Sequence, residues 1–84
     1  KRVQVSGERL DAVIARVFSL SREDAQSLFA KRLVFAAGRE IDSTSYKPKQ
    51  SEVISVRGYG RFMYSGVAKT TKKGRLCINA RVYR

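Results

Sequence analysis

Apolar residues near the start of the chain recur at the spacing of one helical face. They are Leu10, Val13, Ile14, Val17 and Phe18, at positions i, i+3, i+4, i+7 and i+8. Arg9 and Arg16 fall away from this face. The pattern predicts a first helix over about residues 8–18, with its apolar side turned towards a core.

A second helix is predicted to begin at Ser21. Ser21 and Asp24 have the spacing of a capping box, in which the serine oxygen accepts a free backbone N–H and the acid favours the positive helix end. The apolar side of this helix consists of Ala25, Leu28 and Phe29. Arg22 and Gln26 share a neighbouring polar side. The two helices should form an αα-hairpin.

The apolar period changes from helical to strand-like after Arg32. The predicted strands cover residues 33–36, 39–41, 52–57, 61 to about 69 and 76–83. Ala37-Gly38 can turn between the first two, residues 70–75 form a basic turn before the last, and the polar stretch 42–50 is a surface connection. The sequence therefore predicts an α+β fold, an αα-hairpin packed on a small, mostly antiparallel β-sheet.

Charge is the feature of the composition that bears most on function. Eighteen Lys and Arg oppose seven Asp and Glu, which gives a net charge of +11. Soluble small domains need a net charge of only about 2 to 8. Residues 1–42 carry 8 basic and 6 acidic groups, and residues 43–84 carry 10 and 1, so the two halves have net charges of +2 and +9. The excess predicts a polyanionic partner.

Length and cysteine content narrow the class further. A chain of 84 residues should form one domain over residues 1–84. No segment approaches the ~18 apolar residues of a membrane span. Cys77 is the single cysteine, which excludes an internal disulfide and a thiolate metal cluster. Because the chain begins at Lys1 without a methionine, we expect it to be a piece of a longer protein.

Catalytic chemistry is poorly supported by the residues present. The chain has no histidine and no cysteine beside a plausible base, so we expect no enzyme activity, no cofactor, no metal and no small-molecule substrate. Neither Gly58-Tyr59-Gly60 nor Lys72-Lys73-Gly74 has the full spacing of a phosphate-binding glycine loop. The acids are interpreted as helix-end charges and solvated partners of the cations: Asp11, Glu23, Asp24, Glu40, Asp42 and Glu52.

Binding is better supported, through cations grouped around the helix pair and the first hairpin. They are Arg9, Arg16, Arg22, Lys31, Arg32 and Arg39, placed where a phosphate backbone could be followed. Ser21 adds the free N–H groups of a helix start, which favour phosphate. Each cation could equally be a solvated surface charge, but that interpretation leaves the large net charge unexplained.

An aromatic residue between cations suggests a second kind of contact. Tyr59 lies between Arg57 and Arg61, a pattern suited to stacking on an unpaired base, although packing of the ring within the fold is an equal alternative. The basic turn would add phosphate affinity through Lys72, Lys73 and Arg75.

Two runs of residues resemble a known RNA-binding domain. They are Glu8-Arg9-Leu10-Asp11 and Leu20-Ser21-Arg22-Glu23-Asp24-Ala25-Gln26, and the match continues from Lys31 to Ile41 and ends near Glu52-Val53-Ile54. This pattern resembles the RNA-binding domain named after small-subunit ribosomal protein S-four, with a core motif over about residues 8–57. The resemblance implies an alpha-L fold and RNA contacts from Arg9, Ser21, Arg22, Gln26 and Lys31, with Arg39 as a weaker case.

The remainder of the chain, about residues 58–84, resembles a more specific family. The runs Val56-Arg57-Gly58-Tyr59-Gly60-Arg61-Phe62 and Thr70-Thr71-Lys72-Lys73-Gly74-Arg75 look like the C-terminal extension of the YlmH family, bacterial proteins encoded near cell-division genes. That resemblance implies a missing N-terminal portion, a cytoplasmic location, and association with the large ribosomal subunit and transfer RNA during rescue of stalled translation.

The sequence departs from the family pattern at three turns. Arg32 replaces a glycine that closes the second helix, Ala37 replaces an asparagine before Gly38, and Ser51-Glu52 replaces a Gly-Asp turn. A left-handed helix end without glycine costs about 1 kcal/mol, so we expect Arg32 to end the helix differently.

The resulting hypothesis is a monomeric, non-catalytic module that recognises structured ribosomal or transfer RNA by shape more than by sequence. Three alternatives stay open. A protein-interaction module docking an acidic partner would also use the charge, and so would peripheral attachment to an anionic membrane. The third is a fragment of a nucleic-acid enzyme whose acid–base residues lie in the missing portion of the protein. The membrane alternative needs an amphipathic helix with a free apolar face, whereas both predicted helices need theirs for the core.

Overall fold

Two helices and six strands make up the chain, of which the computed structural model describes residues 1–83. The elements are β1 (Arg2–Val5), α1 (Leu10–Val17), α2 (Arg22–Ala30), β2 (Val34–Ala36), β3 (Arg39–Glu40), β4 (Glu52–Val56), β5 (Gly60–Thr70) and β6 (Leu76–Tyr83). The strands form one antiparallel sheet in the order β1-β6-β5-β4-β2-β3. The predicted α+β fold, with a helix hairpin on an antiparallel sheet, is confirmed.

Strand β1 was not predicted from the sequence. Its four residues alternate between exposed and buried, with Val3 and Val5 in the core. The strand pairs with β6 at the other end of the chain, from Arg2 opposite Asn79 to Val5 opposite Leu76. Four residues are too few for their alternation to stand out, and the strand is fixed by a distant partner. It forms the edge of the sheet beside α1.

The helix starts are fixed in two different ways. At α2 the prediction is confirmed, because the Ser21 hydroxyl oxygen accepts a hydrogen bond from the Asp24 backbone N–H at 3.0 Å. Helix α1 has no side-chain cap. Instead, the N–H groups of Leu10 and Asp11 donate to the carbonyls of Tyr46 and Thr44, at 2.9 and 3.2 Å. The 42–50 connection thus satisfies donors that the first helical turn leaves free.

The helix pair covers one face of the sheet, and the core lies between these two layers. Side chains with no exposure come from both layers: Leu10, Val13, Ile14, Ala25, Val34, Ile54, Phe62 and Ile78. Tyr64 is also buried, and its hydroxyl donates to a Glu8 carboxylate oxygen at 2.7 Å. Burial first, and then the Glu8 carboxylate, raise the pKa of Tyr64. The neutral phenol therefore stays a donor at physiological pH.

The other side of the sheet, termed the open face below, carries the alternate residues of the same strands. They include Phe35, Val53, Ser55, Arg61, Met63, Arg81 and Tyr83, all of which are partly or largely exposed. Neither helix in residues 1–83 packs against this face, since both cover the opposite one. One face of the sheet is therefore left to solvent.

The expectation that Arg32 would end α2 differently is wrong. Arg32 has a φ of 61°, and its N–H donates to the Phe29 carbonyl at 3.0 Å while the Leu33 N–H donates to the Leu28 carbonyl at 3.0 Å. This is a Schellman end with arginine in the left-handed position. Two hydrogen bonds, the partial burial of Leu33 and a 3.0 Å ion pair from Arg32 to Glu40 offset the strain.

The other two departures from the family pattern are also at left-handed positions. Ala37 has a φ of 50° and Ser51 a φ of 68°. We expect Ser51→Gly to raise the free energy of unfolding by about 0.5–1 kcal/mol, because the relief of left-handed strain exceeds the chain entropy that glycine adds to the unfolded state. Urea unfolding measures the change. Ser55→Gly in strand β4, where φ is regular, should lower stability instead; a loss in both variants would contradict the argument.

Candidate nucleic-acid interface

A buried carboxylate organises three residues that the sequence placed at the RNA contact. Asp11 has no solvent exposure and accepts hydrogen bonds from Arg9 at 3.2 Å and from the Gln26 side-chain amide at 3.0 Å. Arg22 forms an ion pair with it, with 3.5 Å between Nε and Oδ2. Arg9, Asp11, Arg22 and Gln26 are called the Asp11 cluster below. It contradicts the interpretation of Asp11 as a solvated charge.

The cluster keeps Asp11 ionised in spite of its burial. Burial disfavours the charged form, but the hydrogen bond from Gln26 and the positive charges of Arg22 and Arg9, together with the Ala12 N–H at 2.8 Å, outweigh it. The pKa of Asp11 is consequently lowered from its usual value of 3.8. The side chains of Arg9 and Arg22 stay 46% and 47% exposed, so each guanidinium is anchored on one side and open to a ligand on the other.

Three arginines from separate elements line one concave surface. Arg16 comes from α1, Arg22 from α2, and Arg75 from the turn that leads into β6. The arginine groove, as it is called below, has a volume of about 560 Å³ and is completed by Val5, Ser6, Ala12, Ala15, Ser19 and Leu20. Strand β1 supplies one wall. The groove therefore depends on pairing between the two ends of the chain.

The basic turn lies directly beside this groove. Residues 71–75 form a closed turn, in which the Thr71 N–H donates to the Arg75 carbonyl at 2.7 Å and the Arg75 N–H donates to the Thr71 hydroxyl oxygen at 3.0 Å. Lys72 and Lys73 are exposed at its tip. Ser21, the N-cap of α2, lies in the sequence between the groove residues Leu20 and Arg22. The groove and turn thus bring together residues far apart in the sequence.

The expected grouping of Tyr59 with Arg57 and Arg61 is not observed. The Tyr59 ring packs against Phe18 at the end of α1, with 5.8 Å between ring centroids, and is 49% exposed. Strand alternation places Arg57 and Arg61 on the open face. The ring thus makes the packing contact that was the alternative to stacking, because Tyr59 lies in a tight turn with Gly58 and Gly60 at positive φ, which separates its direction from that of its neighbours.

Three further candidates lie apart from the groove. Lys31 is the last residue of the α2 end, and Arg32 next to it is ion-paired with Glu40. Arg39 on β3 is near Tyr46, whose pKa is raised by burial and by the hydrogen bond to Glu52. Lys31 and Arg32 thus lie at the C-terminal end of α2, and Arg39 lies on the β3 edge of the sheet. They form a separate group of cations, which the structure does not unite with the groove.

Sequence reasoning left Arg16 out of the residues implied by the family resemblance. It was noted only as one cation near the helix pair. A signal was present, because Arg16 is a basic residue in the last turn of α1, close to the connection that leads to α2. The burial of Asp11 had a weaker signal, an acid within an apolar run with the cation Arg9 two positions before it.

The fold and the groove define an α+β protein with a cationic surface across a helix hairpin. No protein-family model matches the chain. The chain is similar to the ribosome-associated protein quality control protein P2 of Bacillus subtilis (strain 168), with 35% identity over 69 residues. The match covers 82% of this chain and 27% of the relative, so the chain spans about a quarter of that protein's length. The similarity supports a related domain in the two proteins.

Two other observations concern residues 1–83. Neither of their helices is long and apolar enough to cross a membrane. Their His, Cys, Asp and Glu side chains are nowhere gathered in a group of three that could hold a metal ion.

Proposed function

We propose that this chain is an RNA-binding module that holds structured RNA across its helix pair. The observation that carries the proposal is the arginine groove, where Arg16, Arg22 and Arg75 from three elements face one concavity. Folding has brought these like charges together, which costs electrostatic energy unless an anion is bound between them. A phosphate backbone supplies closely spaced anions of the required sign.

The Asp11 cluster supports the same function. Because Asp11 anchors Arg9, Arg22 and Gln26 from inside the fold, their outward atoms lose little conformational entropy when they contact RNA. Ser21 offers the positive end of α2 beside them. Lys31 and Arg39 could contact further phosphates along the RNA backbone, and Lys72 and Lys73 add positive charge at the basic turn. Arg32 is already ion-paired and would contribute least.

The biological setting follows from the relative. The Bacillus subtilis protein is named for ribosome-associated protein quality control. We accordingly propose that this chain works in the bacterial cytoplasm on the ribosome, where it contacts ribosomal RNA of the large subunit or transfer RNA. It binds as a monomer and catalyses no reaction, since a histidine-free surface rich in arginine suits binding better than acid–base chemistry. Recognition by shape is the mode that fits contacts made to phosphates.

Fluorescence anisotropy tests the proposal, with a folded transfer RNA and a ribosomal RNA stem-loop compared with duplex DNA of similar length over a salt series. We expect about tenfold tighter binding to folded RNA near ~0.15 M salt, and about a tenfold loss in Arg22→Gln, which removes one charge-assisted contact. Arg2→Gln, an exposed arginine on β1 outside the groove, is the charge-matched control.

Equal affinity for RNA and DNA, with the same affinity in Arg22→Gln and Arg2→Gln, would contradict the proposal. The domain would then bind nucleic acids only through its overall positive charge. Because Arg22 also pairs with Asp11, a thermal melt accompanies each measurement. A loss of affinity is evidence for the RNA contact only in a variant that the thermal melt shows to be folded.

A further inference from the structure

The open face brings two aromatic rings and one arginine into one row across the sheet, with a second arginine, Arg57, beside it. Phe35 on β2 pairs with Ser55 on β4, Ser55 pairs with Arg61 on β5, and Arg61 pairs with Tyr83 on β6. Neighbouring strands are about 4.8 Å apart, so the backbones of Phe35 and Tyr83 are separated by roughly 14 Å. The small side chain of Ser55 lies between them. Ser55 is the smallest side chain among these four residues, with Phe35 on one side of it and Arg61 and Tyr83 on the other.

Each ring in the row is matched with a guanidinium. The Arg57 guanidinium carbon lies 5.2 Å from the Phe35 ring centroid, and that of Arg61 lies 5.7 Å from the Tyr83 ring centroid. These cation–π contacts hold both cations close to the sheet. A hollow of about 390 Å³ opens at this part of the face, lined by Ser55, Val56, Arg57, Gly58, Gly60, Arg61 and Tyr83.

The charge of this face is positive. Arg81 lies in the adjacent row, opposite Met63, and adds a third cation to Arg57 and Arg61. Two strand carboxylates are already engaged: Glu52 accepts a hydrogen bond from Tyr46 on the helix side, and Glu40, which pairs with Phe35 at the β3 end of the row, is ion-paired with Arg32. The face therefore combines ring surface with three arginines that form no ion pair with a carboxylate within residues 1–83.

We propose that the open face binds an unpaired stretch of RNA, with one base in the hollow above Ser55 between the two arginine–aromatic pairs. The proposal rests on the RNA-binding function argued above but uses the opposite side of the sheet. Arginine planes and aromatic rings provide stacking surfaces, and the three arginines can neutralise the phosphates on either side of that base. A paired stem has its base faces covered and would gain only the phosphate contacts.

The arginine groove and the open face lie on opposite sides of the sheet, so both can be occupied at once. The helix pair covers one side of the sheet and the row lies on the other, so one RNA could be held as a stem at the arginine groove and as a single strand at the open face. An acidic peptide would satisfy the arginines but would leave Phe35 and Tyr83 without a stacking partner. The rings therefore favour a nucleic acid.

The test uses the full chain and two RNA probes. One is a single-stranded hexanucleotide with a central 2-aminopurine, whose fluorescence falls on stacking, and the other is a blunt stem-loop. Phe35→Leu and Tyr83→Leu keep apolar bulk but remove the ring faces. We expect each variant to weaken hexanucleotide binding by about 5- to 30-fold and to abolish the fluorescence decrease, because stacking contributes much of the affinity for unpaired bases. Stem-loop affinity should change less than about twofold.

Tyr59→Leu is the matched control, since Tyr59 is exposed to a similar extent but packs against Phe18 on the helix side. If Tyr59→Leu removes the fluorescence decrease and the open-face variants do not, the site is wrong. Unchanged hexanucleotide binding in the open-face variants, with stem-loop binding intact, overturns this inference but leaves the proposed function standing. Failure of both probes to bind the unaltered chain overturns both. An octaglutamate peptide that binds as tightly as the hexanucleotide would also count against RNA.

Partial burial of Phe35 makes a folding control necessary. Circular dichroism is recorded for each variant, and Tyr83→Leu, near the end of β6 with 38% exposure, carries the test if Phe35→Leu does not fold. Arg61→Gln provides a third variant that leaves both rings in place. Arg61→Gln should weaken hexanucleotide binding without making that binding depend more steeply on salt concentration. An unaltered affinity in this variant would contradict a role for the arginine–aromatic pair.

Discussion

Asp11→Asn is expected to lower the free energy of unfolding at pH 7 by about 2–4 kcal/mol. Asparagine has one acceptor oxygen, whereas Asp11 uses both of its oxygens to accept from Arg9, Gln26 and the Ala12 N–H. The new amide N–H₂ would face other donors within a fully buried site. Since Arg9 and Arg22 can turn to solvent, the loss should fall below that of a wholly buried ion pair.

The same variant should change how stability depends on pH. The pKa of Asp11 is lowered by folding, so its contribution to stability is complete above the usual value of 3.8 and is lost as pH falls through the lower folded value. The difference in unfolding free energy between the unaltered chain and Asp11→Asn should therefore shrink as pH falls below about 4. Urea unfolding from pH 7 to pH 2.5 measures it.

Asp42→Asn is the control, because Asp42 is an exposed carboxylate in the connection between β3 and β4. It should leave stability within about 0.5 kcal/mol of the unaltered chain. A loss below about 1 kcal/mol in Asp11→Asn, or a loss that is the same at pH 7 and pH 2.5, would show that Asp11 does not act as a buried anion.

The helices were predictable from the sequence because their signals are local. The three- and four-residue repeat of α1 and the Ser21–Asp24 cap of α2 lie within single turns, and both elements form where they were expected. The strands from β2 to β6 also carried their own alternation and turn residues. The position of Arg32 shows the limit of such rules. A left-handed φ disfavours a residue with a Cβ, but two hydrogen bonds and an ion pair, which no local pattern contains, hold Arg32 in that conformation.

The candidate sites were less predictable because they depend on long-range pairing. The arginine groove needs β1 beside β6, and that pairing joins residues 2–5 to residues 76–79. The open face needs the exact register of four strands, since a shift by one residue would exchange Arg61 with Phe62. Arg57, Tyr59 and Arg61 are neighbours in sequence but not on one surface. A motif of alternating residues cannot be assigned to a face until the turn within it is known.

Removing two arginines of the groove together should produce the largest loss of RNA affinity. We expect Arg16→Gln combined with Arg75→Gln to weaken binding of the stem-loop by about 10- to 100-fold near ~0.15 M salt, because two charge-assisted phosphate contacts disappear. The slope of log K against log salt should become shallower by about 2. Anisotropy over a salt series measures both quantities. Arg22 is left in place so that the Asp11 cluster stays intact.

A double variant outside the groove, Arg2→Gln with Lys47→Gln, removes the same charge from exposed positions to which no RNA contact is assigned. If net charge alone attracts RNA, the two double variants will lose affinity equally. If the groove binds the phosphates, the control should retain stem-loop affinity within about threefold, since charges farther away than a Debye length of about 8 Å are screened. Equal losses would exclude the groove as the contact. A loss confined to Arg16 and Arg75 would instead assign the phosphate contact to the groove, which Val5 of β1 helps to line.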